Sequence, residues 1–325
     1  VASTHTPILF FSSAGMVYAM HQIKVSSLVT HGQNSPWHRN FMRRIARDEL
    51  LLASATTEAG IGGDLRNSIC AVERDGDIAV IEKDASVISY AAEADAILVT
   101  ARRAPDAASS DQVMVVVEKS QATLERTTVW DTLGMRGTCS DGFKLSARVP
   151  EAQVFPEPFA EIAAESMLAA SHLFWAALWF GIASGALAKA QAFVKVQAKR
   201  TPGAPPPTAA RLAAAAAELD ALRALVRDGL ARYEVAKADP DLLGSMGFAT
   251  AINALKVIAS EKAVAVTQAA LGIVGIAGYK NDTPFSVGRP MRDILSAPLM
   301  IANDRILANT APMMLVARLD ARLGA

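Results

Sequence analysis

The chain has 325 residues, 32 basic and 32 acidic side chains, a formal net charge of zero and a pI near 7.1. That balance lacks the electrostatic footprint of a protein that binds nucleic acid or an anionic membrane surface. Two cysteines, Cys70 and Cys139, are too few for a disulfide framework and the five histidines form no zinc-type pair, so a reducing, cytoplasmic setting is the default.

The first eleven residues have neither the basic start nor the cleavage pattern of a secretory signal. Apolar residues at Met16, Val17, Met20, Ile23, Val25, Leu28 and Val29 predict a helix over 12–31, broken by the run from His31 to Pro36. A second helix over 37–50 carries His38, Arg39, Arg43, Arg44 and Arg47, a basic run that reads as a solvated face, with phosphate contact as the alternative. The apolar run Leu50-Leu51-Leu52 then enters like a buried strand and opens into a stretch with Gly60, Gly62 and Gly63, where free N–H groups make a seat for an anion. Its spacing is not that of a dinucleotide fingerprint, and a strand follows it rather than a helix.

From 50 to 150 the period is two. Runs at 69–74 and 78–82 flank Asp75-Gly76, a hairpin signal, and further strands are expected at 96–100, 113–117, 123–129 and 142–149. Short, regular strands argue for a compact antiparallel barrel or sandwich. Three prolines between 150 and 159 end this region. Helices are expected over 161–200, 207–238, 241–278 and 290–322, with Thr208 as N-cap of the second, and they read as an antiparallel four-helix bundle. The stretch 167–193 is long enough for a membrane span, but Ser171, His172, Ser184, Lys189 and Gln191 interrupt it and favour a buried bundle helix. The expected class is therefore α+β: a helical end over 1–49, a central β-domain over 50–150 and a helical bundle over 151–325.

Three stretches carry a resemblance. Ala55-Thr56-Thr57-Glu58-Ala59-Gly60-Ile61-Gly62-Gly63-Asp64 is similar to the T-E-P-G-A-G-S-D segment of the acyl-CoA dehydrogenase family. Leu133-Gly134-Met135-Arg136-Gly137-Thr138-Cys139-Ser140 resembles that family's LGMRGTxS segment. Gly275-Ile276-Ala277-Gly278-Tyr279 with Arg292-Asp293 resembles its FGGxGY and RD segments, in the same order. The family has further helices before the point where this chain starts. Either such a portion is missing here or this branch is short.

The resemblance implies FAD between the β-domain and the bundle. Ala55 and Thr57 would meet the flavin's pyrimidine edge, and Gly62 and Gly63 its pyrophosphate, with Gly63 standing where the family has Ser. Ile88 and Ser89 take the place of an Ile-Thr pair near flavin N5, while Val87 replaces the aromatic that covers the ring. Arg200, Gly272 and Gly275 match positions that complete the adenine half from a second subunit, which implies a dimer or tetramer, and Asn303 is placed with the cofactor contacts.

The family's general base is a Glu nine residues after the Arg-Asp pair, where this chain has Ile301. In a second branch it lies early in the long helix, where this chain has Ser171 beside His172. Asp304 and His172 are the candidate proton acceptors, against plainer roles as a capping carboxylate and a core histidine. Three functions stand side by side: an acyl-CoA dehydrogenase of fatty-acid type with a displaced base, a flavin monooxygenase on the same fold, or a non-catalytic subunit of a heteromer. An acyl-CoA or related thioester is the implied substrate.

Overall fold

The computed structural model describes residues 12–61, 64–200 and 203–317. It divides into two units: Val17–Asp131 with Arg136–Ser171, and Val1–Met16 with Thr132–Met135 and His172–Ala325. The first unit holds most of α1 (Ser12–His31), then α2 (Pro36–Asp48) and seven strands: β1 (Leu52–Ala55), β2 (Val72–Asp75), β3 (Ile78–Ala85), β4 (Ala96–Arg102), β5 (Gln112–Glu118), β6 (Ala122–Thr128) and β7 (Gly142–Pro150). Pro36 begins α2 where its missing N–H is no loss, and the Ser35 hydroxyl accepts from the His38 N–H to cap it. The basic run on α2 is largely engaged: Arg44 holds Glu118 through both terminal guanidinium nitrogens, Arg47 pairs with Asp48, and Arg39 donates to the Gln33 carbonyl.

The strands form two sheets, in the orders β1-β4-β5 and β2-β3-β7-β6. The hairpin at Asp75-Gly76 is present, with Gly76 at φ 62°. The expectation of a wholly antiparallel region is corrected at one place: β1 runs parallel to β4, Leu52 opposite Ala96 and Ala55 opposite Val99. Long connections after β1 carry the chain round to reach that register, which local alternation does not reveal. Both sheets feed one buried cluster, with Ala55, Ile97, Val99 and Val115 from one and Val72, Ile81, Phe143 and Leu145 from the other. Strands β4 and β5 are buried at all but their last residue, which explains their unbroken apolar runs.

One charged pair lies inside this unit. Lys83 on β3 is fully buried, and its ammonium donates to the Thr100 carbonyl (2.7 Å) and to Glu58 (3.3 Å). Glu58 also accepts from the Ser68 hydroxyl and from the N–H groups of Ile69 and Cys70. Burial pushes the Glu58 carboxyl up, but Lys83 and these hydrogen bonds together hold it below the usual carboxylate range. Removing one partner of a buried pair costs about 3–5 kcal/mol, because the other charge is left uncompensated. Lys83→Met is therefore expected to lower unfolding stability by that amount in urea titration, and adding Glu58→Gln should restore part of the loss. A Lys83→Met protein as stable as the parent would show that the pair is not a fixed feature of the fold.

The helical run after the sheets begins as α3 (Phe159–Ile162), passes through a π-helical turn at Ala163–Met167 and continues as α4 (Leu168–Arg200). At the π turn the Ser166 hydroxyl donates to the Ile162 carbonyl and lies 3.1 Å from the Ser27 hydroxyl, and the buried Lys24 ammonium lies 3.3 Å from the Met167 sulfur. Burial lowers that ammonium to about 8.

The second unit contains α4 from His172 onward, α5 (Ala209–Ala236), α6 (Pro240–Leu243), α7 (Met246–Val274), α8 (Ile276–Tyr279), α9 (Gly288–Ile294) and α10 (Asn303–Met314). Gly229 lets α5 close on its neighbours: a methyl there would meet the Leu255 side chain at 2.6 Å and Leu173 at 3.4 Å. Three long helices stand as expected, but the fourth, expected over 290–322, is two short helices separated by a turn at 295–302; residues 318–322 lie outside the described residues. Thr208 does not cap α5 with its side chain; its hydroxyl donates to Gln197 instead. Two helical stretches, Phe159–Arg200 and Met246–Val274, are long and apolar enough to cross a membrane. In the first, 83% of the most apolar window is buried inside the protein, so its apolar surface is already satisfied.

Candidate active site

In the first unit, the chain leaves β1 at the buried Ala55 and turns with Thr57 half-buried. The Thr57 hydroxyl donates to the Val87 carbonyl (2.7 Å), and the Ala59 N–H donates to the Asp84 carbonyl. These bonds lay the start of the glycine-rich turn along the segment 84–89. Gly62 and Gly63 lie outside the described residues. Ser89, half-buried, shares a hydrogen bond with Ser140 (2.8 Å), and Ser140 shares another with Thr138 (2.8 Å). Thr57 and Ser89, assigned to the same cofactor from distant motifs, thus lie on neighbouring segments. The Ile88 side chain does not join them: it is fully buried in the sheet core, and its N–H is taken by the Asp141 carbonyl.

In the second unit, two of the family-like motifs meet. The Asp293 carboxylate accepts from the Met135 N–H (2.8 Å), and Gly134 packs so closely that a methyl would stand 2.1 Å from the Arg292 carbonyl oxygen. Only glycine allows that approach. Beyond Asp293, the turn 295–302 is pinned by the fully buried Lys256 of α7. Its ammonium donates to the carbonyls of Ala297 (3.2 Å) and Ile301 (2.6 Å) and to Asn303 Oδ1 (2.7 Å), and it lies over the Trp179 ring. Burial lowers this ammonium to about 8, with Glu261 opposing the shift. Ile301 sits at φ 49°, in the left-handed region where a β-branched side chain is strained. Sequence reasoning missed Lys256; a lone lysine between Leu255 and Val257 in an apolar helix was the available signal.

The other sequence-derived candidates have the following surroundings. The Asn303 amide is engaged by Lys256, Ser260 and Glu261. Ser171 is buried and donates back to the Met167 carbonyl one helical turn earlier. His172 is not held near neutrality. It is buried, its Nδ1 faces the Ile252 carbonyl, and burial lowers its pKa to about 4, with that carbonyl opposing and Lys256 adding to the shift. Asp304 is exposed in the first turn of α10. Arg200 is exposed at the end of α4. Gly272 is covered by the Arg211 guanidinium, and Gly275 ends α7 at φ 68°. Neither described family position for the base, 301 or 171, therefore holds a carboxylate.

A mixed α+β chain of this order has the fold of solved flavin-binding and acyl-CoA-handling proteins. FMN-bound TdsC from Paenibacillus sp. A11-2 superposes with a TM-score of 0.82 at 19% identity, over 98% of this chain and 83% of that one. Butyryl-CoA dehydrogenase from Megasphaera elsdenii superposes with a TM-score of 0.78 at 19% identity, over 96% and 80%. At such identities the likeness shows the fold. The sequence goes further: residues 162–310 match the model of the acyl-CoA dehydrogenase C-terminal domain, and cyclohex-1-ene-1-carbonyl-CoA dehydrogenase from Geobacter metallireducens is 30% identical over 272 residues, 82% of this chain. The chain belongs to the acyl-CoA dehydrogenase family. It spans 68% of that relative's length, and 63% of a second relative of the same name from Syntrophus aciditrophicus.

Proposed function

We propose that the protein is an FAD-dependent oxidoreductase acting on an acyl thioester, assembled as a homodimer or tetramer in the cytoplasm, and lacking the family's carboxylate base. The observation that carries this reading is the Thr57–Val87 hydrogen bond, which brings the half-buried hydroxyls of Thr57 and Ser89 onto adjacent segments. The Thr57 hydroxyl, its proton given to Val87, can accept from a flavin N–H, and Ser89 can donate or accept, which fits the polar edge of a flavin. A bound FAD would supply the hydride acceptor for oxidation of the acyl chain. The protein's own part is to orient: Thr57 and Ser89 fix the ring edge, and Lys256 holds the turn carrying Ile301.

With Ile301 and Ser171 at the base positions, α-proton removal has no carboxylate from either. That observation favours a second reading, a flavin monooxygenase of the same fold, in which no α-proton is removed. The relatives' name makes an alicyclic acyl-CoA the first substrate to try. Purified protein is expected to show a flavin absorption band or to gain one on FAD titration, and Thr57→Val with Ser89→Ala should weaken uptake by about ten- to hundredfold, the worth of one or two hydrogen bonds. Colourless protein that takes up no FAD would support instead the non-catalytic subunit.

A further inference from the structure

We infer that the second unit carries a separate anion site, a cavity of about 750 Å³ whose ligand is a phosphate ester with an apolar body. One wall is the face of α4 that presents Ile182 and Lys189; the other is the segment leading into and along α9, with Phe285, Arg289 and Arg292. The volume lies in the range of sites that enclose a small molecule.

The charge is one-sided. Lys189, Arg289 and Arg292 all line the cavity, no Asp or Glu does, and among the described residues no carboxylate pairs with any of the three. The Lys189 ammonium is fixed by donating to the Ser286 carbonyl (2.5 Å), so it cannot retreat to solvent without losing that bond. Burial, and then the neighbouring Arg289, lower its pKa. Arg289 and Arg292 are exposed, so an anion from solvent can reach both. Two guanidinium forks and an ammonium match phosphate oxygens in number and geometry better than a single carboxylate. The apolar share of the ligand follows from Ile182 and from Phe285, whose ring stands edge-on to Phe193 at 5.4 Å.

The site is independent of the proposed flavin chemistry, and its test keeps the two apart. Protein saturated with FAD, or as purified if it takes up none, is titrated calorimetrically with ADP, inorganic pyrophosphate and hexanoate, while absorbance reports any flavin released. The expected result is saturable binding of ADP, weaker binding of pyrophosphate, no saturation by hexanoate, and affinity that falls with salt. Arg289→Gln and Lys189→Met should each weaken ADP by about ten- to hundredfold with flavin content unchanged. Absence of saturable ADP binding would overturn the inference. So would hexanoate binding as tightly as ADP, binding that both substitutions leave intact, or release of flavin by ADP, which would assign the binding to the flavin's own site.

Discussion

Lowering the pH from 7.5 to about 4.5 is expected to remove about 5 kcal/mol of folding stability, and two buried histidines are the reason. His38 is fully buried and packs its ring 4.1 Å from that of Phe155; burial lowers its pKa to about 4, the backbone of Gln153 opposing. His172 is brought to about 4 in the same way in the second unit. An unfolded histidine titrates near 6.5. Above that pH both states are neutral and the full stability is present. As the pH falls from 6.5 toward 4, the unfolded chain takes up protons that the folded chain refuses, so stability falls with pH. A shift of that size is worth about 3 kcal/mol per histidine, against a total of roughly 5–15 kcal/mol for a typical domain. His21 and His31 are also lowered by burial and add in the same direction. Urea midpoints at pH 7.5, 6 and 5 should therefore fall steadily, and His38→Phe should flatten part of the slope. A midpoint that does not change over this range would contradict the burial of both rings.

The second large effect concerns position 301. General-base catalysis typically contributes 10²–10⁴-fold, so a family member with Ile there is expected to be reduced by saturated acyl-CoAs slower by that order. Ile301→Glu should recover much of it. The backbone is prepared for the exchange, because Lys256 fixes the Ile301 carbonyl and the φ of 49° strains isoleucine more than an unbranched residue. If the unaltered protein is already reduced rapidly, another group takes the proton. Asp304→Asn and His172→Ala then identify it: the group whose loss abolishes reduction with flavin still bound is the acceptor.

The elements were legible in the sequence where the signal is local. Asp75-Gly76 announced its hairpin, and the runs at 96–100 and 113–117 announced β4 and β5, whereas the helix expected over 241–278 ends earlier, at Val274 before Gly275. The parallel pairing of β1 with β4 was not legible, because alternation gives a strand's faces but neither its partner nor its direction. Nor was the split of the fourth helix, which depends on Lys256, 45 residues before Ile301, gathering the carbonyls of the turn. Lys83 looks like a surface lysine until Glu58 is found 25 residues away to pair with it. Site residues were legible only as motif matches: the structure joins Thr57 to the Val87–Ser89 segment and Leu133–Met135 to Arg292–Asp293, contacts that no period encodes. The partners of Asn303 on α7, Lys256 and Ser260, were equally hidden from the sequence.

Anaerobic mixing with acyl-CoAs tests most directly whether the protein is a flavin-dependent acyl-thioester oxidoreductase without the usual base. Flavin absorbance is followed after adding saturated straight-chain and alicyclic acyl-CoAs to the purified, FAD-loaded protein and to Ile301→Glu. The account predicts a flavin band in both, slow or absent bleaching of the parent, and faster bleaching of the variant. Rapid bleaching of the parent by a saturated acyl-CoA, or no flavin in either protein, would contradict it.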